Sequence, residues 1–316
     1  MKIFVDDWPV TEGSHYPVNE DVLASAPAVL VEDGPELKPH GGPGGEPMQG
    51  PIAFIDGVRR GEALLYQEND VGDVAAGVAG AYACGAVLVS WKDPPEFIET
   101  RATRVVLWES RRPSDLPEIN GGFRWKSYAC ESKPPLGPLD DLQRRMREEE
   151  GRLAGSLCDK LITTIVDGTL RYVIRRDRPV VGYIKTHHSV WLDRDNHQLV
   201  PGLRVGERTS LFRIGDDRYS AYLRIAVRGA YSGPWSGIIR VEIPRFAPLC
   251  EVARLADQVA SAMPRFAGVP HRDPRAPQNL QPIGALEAHL RHLLGDQGLA
   301  ARAVRDAVAK LGSERI

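Results

Sequence analysis

The sequence has few cysteines, and the four that it has are widely separated. None forms a C-x-x-C pair, so the spacing excludes a zinc ribbon and gives no disulfide framework. We therefore expect isolated buried thiols. The four positions are Cys84, Cys130, Cys158 and Cys250.

The chain also lacks a long hydrophobic run and a strong net charge. No apolar stretch reaches the roughly 18 residues of a membrane-spanning helix, and the start, MKIFVDDWPV, lacks the cationic and then apolar order of a secretory signal. We therefore expect a soluble cytoplasmic protein. The formal net charge of −2 argues against nonspecific coating of nucleic acid, but it is compatible with basic patches beside an acidic site.

Composition changes at about residue 50. Residues 1–50 are rich in proline, glycine and acidic side chains, and we predict an irregular N-terminal arm there. Residues 51–316 mix strand patterns with helix patterns, which predicts an α/β domain: a mixed sheet core flanked by helices, with further helices at the C-terminus. The clearest helix is PLDDLQRRMREEEGRLAGSLCDK, with one apolar stripe. That stripe comprises Leu142, Met146, Leu153 and Leu157.

Three apolar runs are each followed by a charged residue. The first reaches Asp56-Gly57, the second reaches Asp167-Gly168, and the third, VVGYI, ends at Lys185. Asp-Gly between apolar runs is also a strong hairpin signal, so a turn remains an alternative for each pair. However, LITTIV is nearly continuous in apolar and β-branched residues, as in a strand buried on both faces. Strand ends in such a sheet are rigid positions for catalytic groups.

The predicted helix adds an acidic candidate. At about 100° per residue, Glu149 and Glu150 flank the apolar stripe, whereas Glu148 points away. One of these glutamates is therefore expected in the same layer as Asp56 and Asp167. A solvated run with i,i+4 pairing to arginines is the alternative.

Two aspartates and a glutamate form an oxygen-only site that suits Mg²⁺ or Mn²⁺. Such ions support phosphodiester cleavage by activating water and stabilising the leaving oxygen. Lys185 is then a candidate to hold a phosphate or orient the water, with an ordinary strand-end lysine as the alternative.

The segment GGFRWKSYA alternates cations with aromatic rings. This pattern is typical of a groove in which bases stack on rings and phosphates meet cations, so we predict nucleic-acid contacts at Arg124, Trp125 and Lys126. A strand at the edge of the fold with half-buried rings is the alternative.

The order of these motifs resembles the NurA nuclease family. The motifs are IDG, an acidic helix, IVDGTL, VVGYIKT and the closing segment NLQPIGALEAHLRHLL, together spanning about residues 52–295. The resemblance implies an RNase H-like core and a Mn²⁺- (or Mg²⁺-) dependent deoxyribonuclease in DNA end processing and repair. It implies single-strand endonuclease and 5'-3' exonuclease activity, a homodimer, and a HerA-type hexameric DNA-pumping ATPase as partner.

The resemblance also implies roles for individual residues. The metal ligands would be Asp56, Asp167 and Glu150, with Glu149 as a register alternative for Glu150. Lys185 would be the strand-end lysine. These assignments follow from the motif order rather than from the composition.

The closing segment leaves two histidines open. His289 matches the closing histidine of the family, and His271 is its rival. His289 lies on a predicted amphipathic helix, where a surface or boundary histidine is the simpler interpretation. Gln281 stands where we expect the family's tyrosine.

Near Asp56, Arg59 and Arg60 are candidate phosphate contacts, and Glu62 is a candidate extra ligand. His187 and His188, which follow Lys185, either flank the site or belong to a polar loop. The alternative to a nuclease is a catalytically silent DNA-binding adaptor for a hexameric ATPase. A hydrolase of small phosphoesters is a further possibility.

Overall fold

The structure is a computed structural model in which the chain divides into two compact units. Unit 1 comprises Met1–Phe54, Val87–Glu96 and Ala154–Ala285, and unit 2 comprises Ile55–Ala86, Phe97–Leu153 and Leu286–Ile316. The structure describes residues 28–42, 45, 48, 50–68, 74–109, 113–131, 137–160, 162–173, 177–187 and 189–313.

The described residues form eleven strands and five α-helices, numbered here in chain order. The strands are β1 Pro39–Gly41, β2 Ile52–Glu68, β3 Val74–Val89, β4 Glu96–Trp108, β5 Lys126–Ala129, β6 Thr163–Asp167, β7 Val180–Ile184, β8 Glu207–Thr209, β9 Phe212–Ile214, β10 Arg218–Arg224 and β11 Ile238–Pro244. The helices are α1 Pro138–Asp159, α2 Arg194–Leu199, α3 Leu249–Ala262, α4 Gln281–Leu294 and α5 Gln297–Ser313.

Unit 1 contains a mixed set of strands in the order β1-β8-β10-β11-β7-β6, with β9 paired to β10. Strands β6 and β7 are parallel, with Asp167 opposite Tyr183, whereas β11 runs antiparallel to both β7 and β10. Helix α3 packs against β1, β8 and β10. The parallel pair brings the carboxyl ends of β6 and β7 to the same edge of the sheet.

Unit 2 contains strands in the order β2-β3-β4-β5, with β4 and β5 parallel. Alternate residues of β4 face opposite sides, as in any strand. Leu107 packs with Leu142 of α1, whereas Val106 packs with Val304 of α5. Helices therefore cover both faces of these strands, which explains their long apolar runs.

The predicted α/β class, a mixed sheet flanked by helices, is confirmed, and so is the long acidic helix, now α1. The predicted strand end at Asp56-Gly57 is wrong, because β2 continues through both residues to Glu68. Strand β6 does end at Asp167, but a hairpin at Asp167-Gly168 is excluded because the next strand, β7, runs parallel to β6. The segment VAAGVAGAYACGAVLV, which the pattern left ambiguous, is strand β3.

The predicted N-terminal arm lies partly outside the described residues, which begin at residue 28. Its described part includes β1, which pairs with β8, and a bridge between Leu30 and Phe212. Residues 28–42 therefore contribute to unit 1, while the predicted boundary at residue 50 stays a prediction. None of the helices in the described ranges has the length and apolar content needed to cross a bilayer.

Candidate active site

In unit 2, two buried carboxylates meet beside strand β2. Asp56 of β2 and Glu287 of α4 are 4% and 5% exposed, and each has a carboxylate oxygen within 4.8 Å of one from the other. Two carboxylates this close and this buried repel each other when both are ionised, and Arg291, which pairs with Glu287 at 3.2 Å, offsets only part of that charge. A divalent cation between them removes that repulsion and takes the hard oxygen ligands it prefers, so this donor set fits Mg²⁺ or Mn²⁺.

Sequence reasoning missed Glu287 in favour of His289, two positions later. The signal was present in the helical pattern. Ile283, Leu286 and Leu290 form a buried apolar stripe on α4, and Glu287, four residues after Ile283, lies within that stripe. An acid at an apolar position of an amphipathic helix is costly unless it has a specific partner.

Glu150 packs against the same strand from helix α1. A Cβ placed on Gly57 would lie 2.6 Å from Glu150 Oε1 and 2.8 Å from Met146 Cγ, so a larger residue at this position would clash with α1. Glu150 is buried and accepts a hydrogen bond from Arg147 at 2.8 Å, whereas Glu149 is half-buried and pairs with Arg152. Of the two register alternatives, Glu150 is therefore the one that faces the strand.

The alternation of β2 separates Glu150 from the Asp56 side chain. Consecutive strand residues point to opposite faces, and Glu150 contacts the position of Gly57. The Asp56 carboxylate therefore leaves β2 on the other face, where Glu287 lies. Within unit 2, the structure brings Asp56 and Glu287 together, and the role of Glu150 as a metal ligand stays a prediction.

A buried thiol beside β2 has a raised pKa, partly because of the negative charge around this strand. Burial raises the pKa of Cys84 well above its ordinary value, and the carboxylates of Glu150, Glu149 and Asp56 raise it further. The thiol donates to Met146 O at 3.4 Å and stays protonated at neutral pH. The structure describes all four cysteines as thiols, and the expectation of burial holds for only two of them. Those two are Cys84 and Cys158, while Cys130 is half-buried and Cys250 is exposed.

In unit 1, Asp167 and Lys185 form a short ion pair at the carboxyl ends of β6 and β7. Lys185 Nζ donates to Asp167 Oδ2 at 2.6 Å and to Asn279 Oδ1 at 2.6 Å. Asp167 lies opposite Tyr183 in the parallel ladder, so Lys185, two residues beyond Tyr183, points to the same face as that tyrosine. The strand-end aspartate and lysine, which we predicted to lie close together, therefore do so within unit 1.

Asn279 orients this pair and was missed from the sequence. It is 1% exposed, and its amide nitrogen donates to Asp273 Oδ2, so its carbonyl oxygen is left to face Lys185. Burial pushes the pKa of Asp273 up, but hydrogen bonds from Asn279 and Arg275 outweigh it and lower that pKa overall. Asp273 therefore stays ionised and holds the Asn279 amide in one orientation.

The predicted histidines lie in different settings. The His289 ring stacks on Phe97, with centroids 4.3 Å apart, and is half-buried. His271 is exposed. His187 forms a 3.0 Å hydrogen bond with Ile238 O, and His188 lies outside the described residues. The catalytic role of His289 stays a prediction.

The basic residues after Asp56 bind within unit 2. Arg60 donates to the carbonyl oxygens of Leu294 and Gly295 at the end of α4, and it pairs with Glu62 at 3.0 Å. Arg59 bonds to Gln143 of α1. The Glu62 carboxylate is buried between Arg60 and Arg104, so these contacts describe an ion network at a helix C-terminus. They leave Glu62 a weaker candidate for a metal ligand than Glu287.

The predicted aromatic groove at Arg124, Trp125 and Lys126 is only partly consistent with the structure. Trp125 is 7% exposed and packs in an apolar cluster with residues of α5, so its ring does not face solvent for base stacking. Arg124 is exposed and pairs with Glu118 at 2.6 Å, and Lys126 is exposed. Nucleic-acid contacts by these two cations stay predictions.

Comparison with known proteins gives a similarity of fold. No family model matches the chain, and no characterised protein matches it by sequence. Among solved structures, the chain is similar to the NurA nuclease from Sulfolobus solfataricus, with a TM-score of 0.46 and 10% sequence identity. The matched region covers 87% of this chain and 88% of that chain.

Proposed function

We propose that the chain is a metal-dependent deoxyribonuclease. The observation that carries the proposal is the buried carboxylate pair of Asp56 and Glu287, whose oxygens lie within 4.8 Å of one another. We add Asp167 to the same metal site, because the order of the IDG, IVDG and YIK motifs in the sequence resembles the NurA family. Glu150 remains a predicted ligand, to be tested beside Glu287.

The proposed chemistry divides between the ion and the protein. A bound Mn²⁺ or Mg²⁺ would supply Lewis-acid polarisation of the scissile phosphate. Asp56, Asp167 and Glu287 would hold the ion. The Lys185 ammonium, kept in place by Asp167 and Asn279, would contact a non-bridging phosphate oxygen and offset the charge that develops there.

The finer properties of the proposal rest on the motif resemblance. They are single-strand endonuclease and 5'-3' exonuclease activity in DNA end processing, Mn²⁺ as the preferred ion, and a cytoplasmic location. They also include a homodimer that works with a HerA-type hexameric ATPase. Sedimentation of the purified protein, alone and with such an ATPase, tests the two assembly proposals directly.

The deciding experiment separates the acids by substitution. We expect Asp56→Asn, Asp167→Asn and Glu287→Gln each to reduce Mn²⁺-dependent cleavage of single-stranded DNA by more than about 100-fold, because loss of even an outer-shell partner of a metal site costs about 10- to 100-fold. Asp306→Asn is the matched control, since Asp306 is an exposed acid on α5. Equal loss in Glu150→Gln would add Glu150 to the ligand set.

Metal binding provides a second readout that does not depend on turnover. Mn²⁺ at about 100 times its Kd stabilises a protein that binds it by about 2.7 kcal/mol. We expect the Mn²⁺-induced rise in Tm to be present in the wild type and in Asp306→Asn and to be lost in Asp56→Asn and Glu287→Gln. An unchanged rise in both of these variants, together with wild-type cleavage, would refute the proposed site. DNA binding without divalent-dependent cleavage in the wild type would instead identify an adaptor.

A further inference from the structure

The connection between β10 and β11, residues 225–237, lies at the edge of the sheet that carries Lys185. Strand β11 pairs antiparallel with β7, with Ile184 opposite Arg240, so β11 begins where β7 ends. His187, two residues after Lys185, forms a 3.0 Å hydrogen bond with Ile238 O. Asp167 lies opposite Tyr183, and Tyr183 lies opposite Val241, so Asp167 is two strand spacings, roughly 10 Å, from Val241 and roughly 14 Å from the start of β11, three residues further along the strand.

The base of this loop is firmly held. Arg224 is buried, and its guanidinium donates to four carbonyl oxygens at 2.6–3.3 Å. The Trp235 ring packs beside His187, with centroids 5.1 Å apart, and beside Tyr222. Gly237, with φ +73°, accepts a hydrogen bond from Ile225 N at 2.8 Å. The four carbonyls that Arg224 binds belong to Pro201, Leu203, Pro234 and Ser236.

The tip of the loop, in contrast, presents apolar and aromatic surface to solvent. Val227 and Tyr231 are 82% and 91% exposed, the highest values among the large hydrophobic side chains of the described residues. A tyrosine that is almost fully exposed on an anchored loop gains nothing from burial in this chain, so its ring is available to a ligand.

The charge of the loop has one sign. Residues 225–237 contain one arginine, Arg228, and no aspartate or glutamate. Arg228 Nε donates to Ser232 O at 2.9 Å, which places the guanidinium at the tip. At the base of the loop, burial lowers the pKa of Arg224, and the positive charge of Arg228 lowers it further.

We propose that this loop binds single-stranded DNA beside Lys185, with a base stacked on Tyr231 and a phosphate at Arg228. Exposed aromatic rings next to cations bind single strands because every base has a face that stacks, and a guanidinium matches phosphate geometry. A loop without acids adds no repulsion against the phosphates. The inference rests on the proposed function, because it gives the substrate strand a path toward Lys185.

A binding experiment without catalysis tests this inference. Full-length protein is titrated into a labelled oligothymidine in EDTA, and Kd is measured by fluorescence anisotropy. We expect Tyr231→Ala to raise Kd about tenfold, since stacking on one ring contributes that order of affinity. Tyr66→Ala is the matched control, because Tyr66 is 72% exposed on β2 of unit 2, and its Kd should equal that of the wild type.

Two further arms distinguish stacking from charge. On an abasic single strand, which keeps its phosphates, Tyr231→Ala and the wild type should bind equally. Arg228→Gln should make the slope of log K against log salt shallower by about 0.7, the value for one phosphate contact on a single strand.

The results separate this inference from the proposed function. On oligothymidine, a Kd of Tyr231→Ala within about twofold of the wild-type Kd would overturn the loop assignment, even if the wild type cleaves DNA. This result would point instead to a protein partner for the tip. A tenfold effect in a protein that does not cleave DNA would support the loop assignment and refute the nuclease proposal.

Discussion

Replacing Asn279 with leucine tests whether this residue holds Lys185 in place. The Lys185 side chain is 9% exposed, and its ammonium donates to Asp167 and Asn279 at 2.6 Å each. Asn279→Leu keeps a branched side chain of similar length but removes one of these two acceptors. It also removes the amide that donates to Asp273.

The expected cost follows from these two bonds. Loss of a hydrogen bond to a charged group costs about 1.5–3 kcal/mol when that group is buried. Asp273 keeps its bond from Arg275 N at 2.8 Å, so its loss is smaller, about 0.5–1 kcal/mol. We therefore expect Asn279→Leu to lower the free energy of unfolding by about 2–4 kcal/mol.

Urea unfolding at neutral pH, followed by tryptophan fluorescence, measures this change. Gln281→Leu is the matched control, because Gln281 also donates an amide hydrogen bond, to Ala267 O at 3.0 Å, but in an exposed position. We expect the control to change stability by no more than about 0.5 kcal/mol. If Asn279→Leu were no less stable than Gln281→Leu, the bonds to Asn279 would contribute little and its positioning role would be refuted.

Two further predictions concern residues outside the candidate site. Burial raises the pKa of Glu32, but hydrogen bonds and charge from Arg208 lower it overall. The stabilisation from the Glu32–Arg208 pair is therefore present above about pH 4.5 and is lost as the pH falls through the lowered pKa of Glu32. We expect Glu32→Gln to destabilise the protein by about 3–5 kcal/mol at pH 7. Between about pH 5 and pH 3, the urea midpoint should fall less steeply in this variant than in the wild type, and a parallel fall in the variant and the wild type would contradict the prediction. Trp125→Ala should lower the free energy of unfolding by about 3–5 kcal/mol without changing the Kd of the folded protein for single-stranded DNA. Weaker binding with unchanged stability would restore the groove interpretation.

Much of the fold could be predicted because its signals are local. The apolar stripe of α1 and the apolar run of β6 depend only on the spacing of residues along the chain. The end of β6 at Asp167 and the position of Lys185 directly after β7 were predicted for the same reason. At Asp56-Gly57 the local turn signal failed, because Gly57 serves the close approach of α1 to a continuous strand.

The sequence alone determined which residue types were available for chemistry: the aspartates, the α1 glutamates, the strand-end lysine and the closing helix. Tertiary structure decided which of them meet. Lys185 and Asn279 are 94 positions apart, and Glu287 reaches Asp56 only because α4 packs beside β2. Likewise, the ring of Trp125 is buried because α5, near the end of the chain, covers it. Such contacts arise from the packing of distant elements, and a pattern read over a few residues carries no information about that packing.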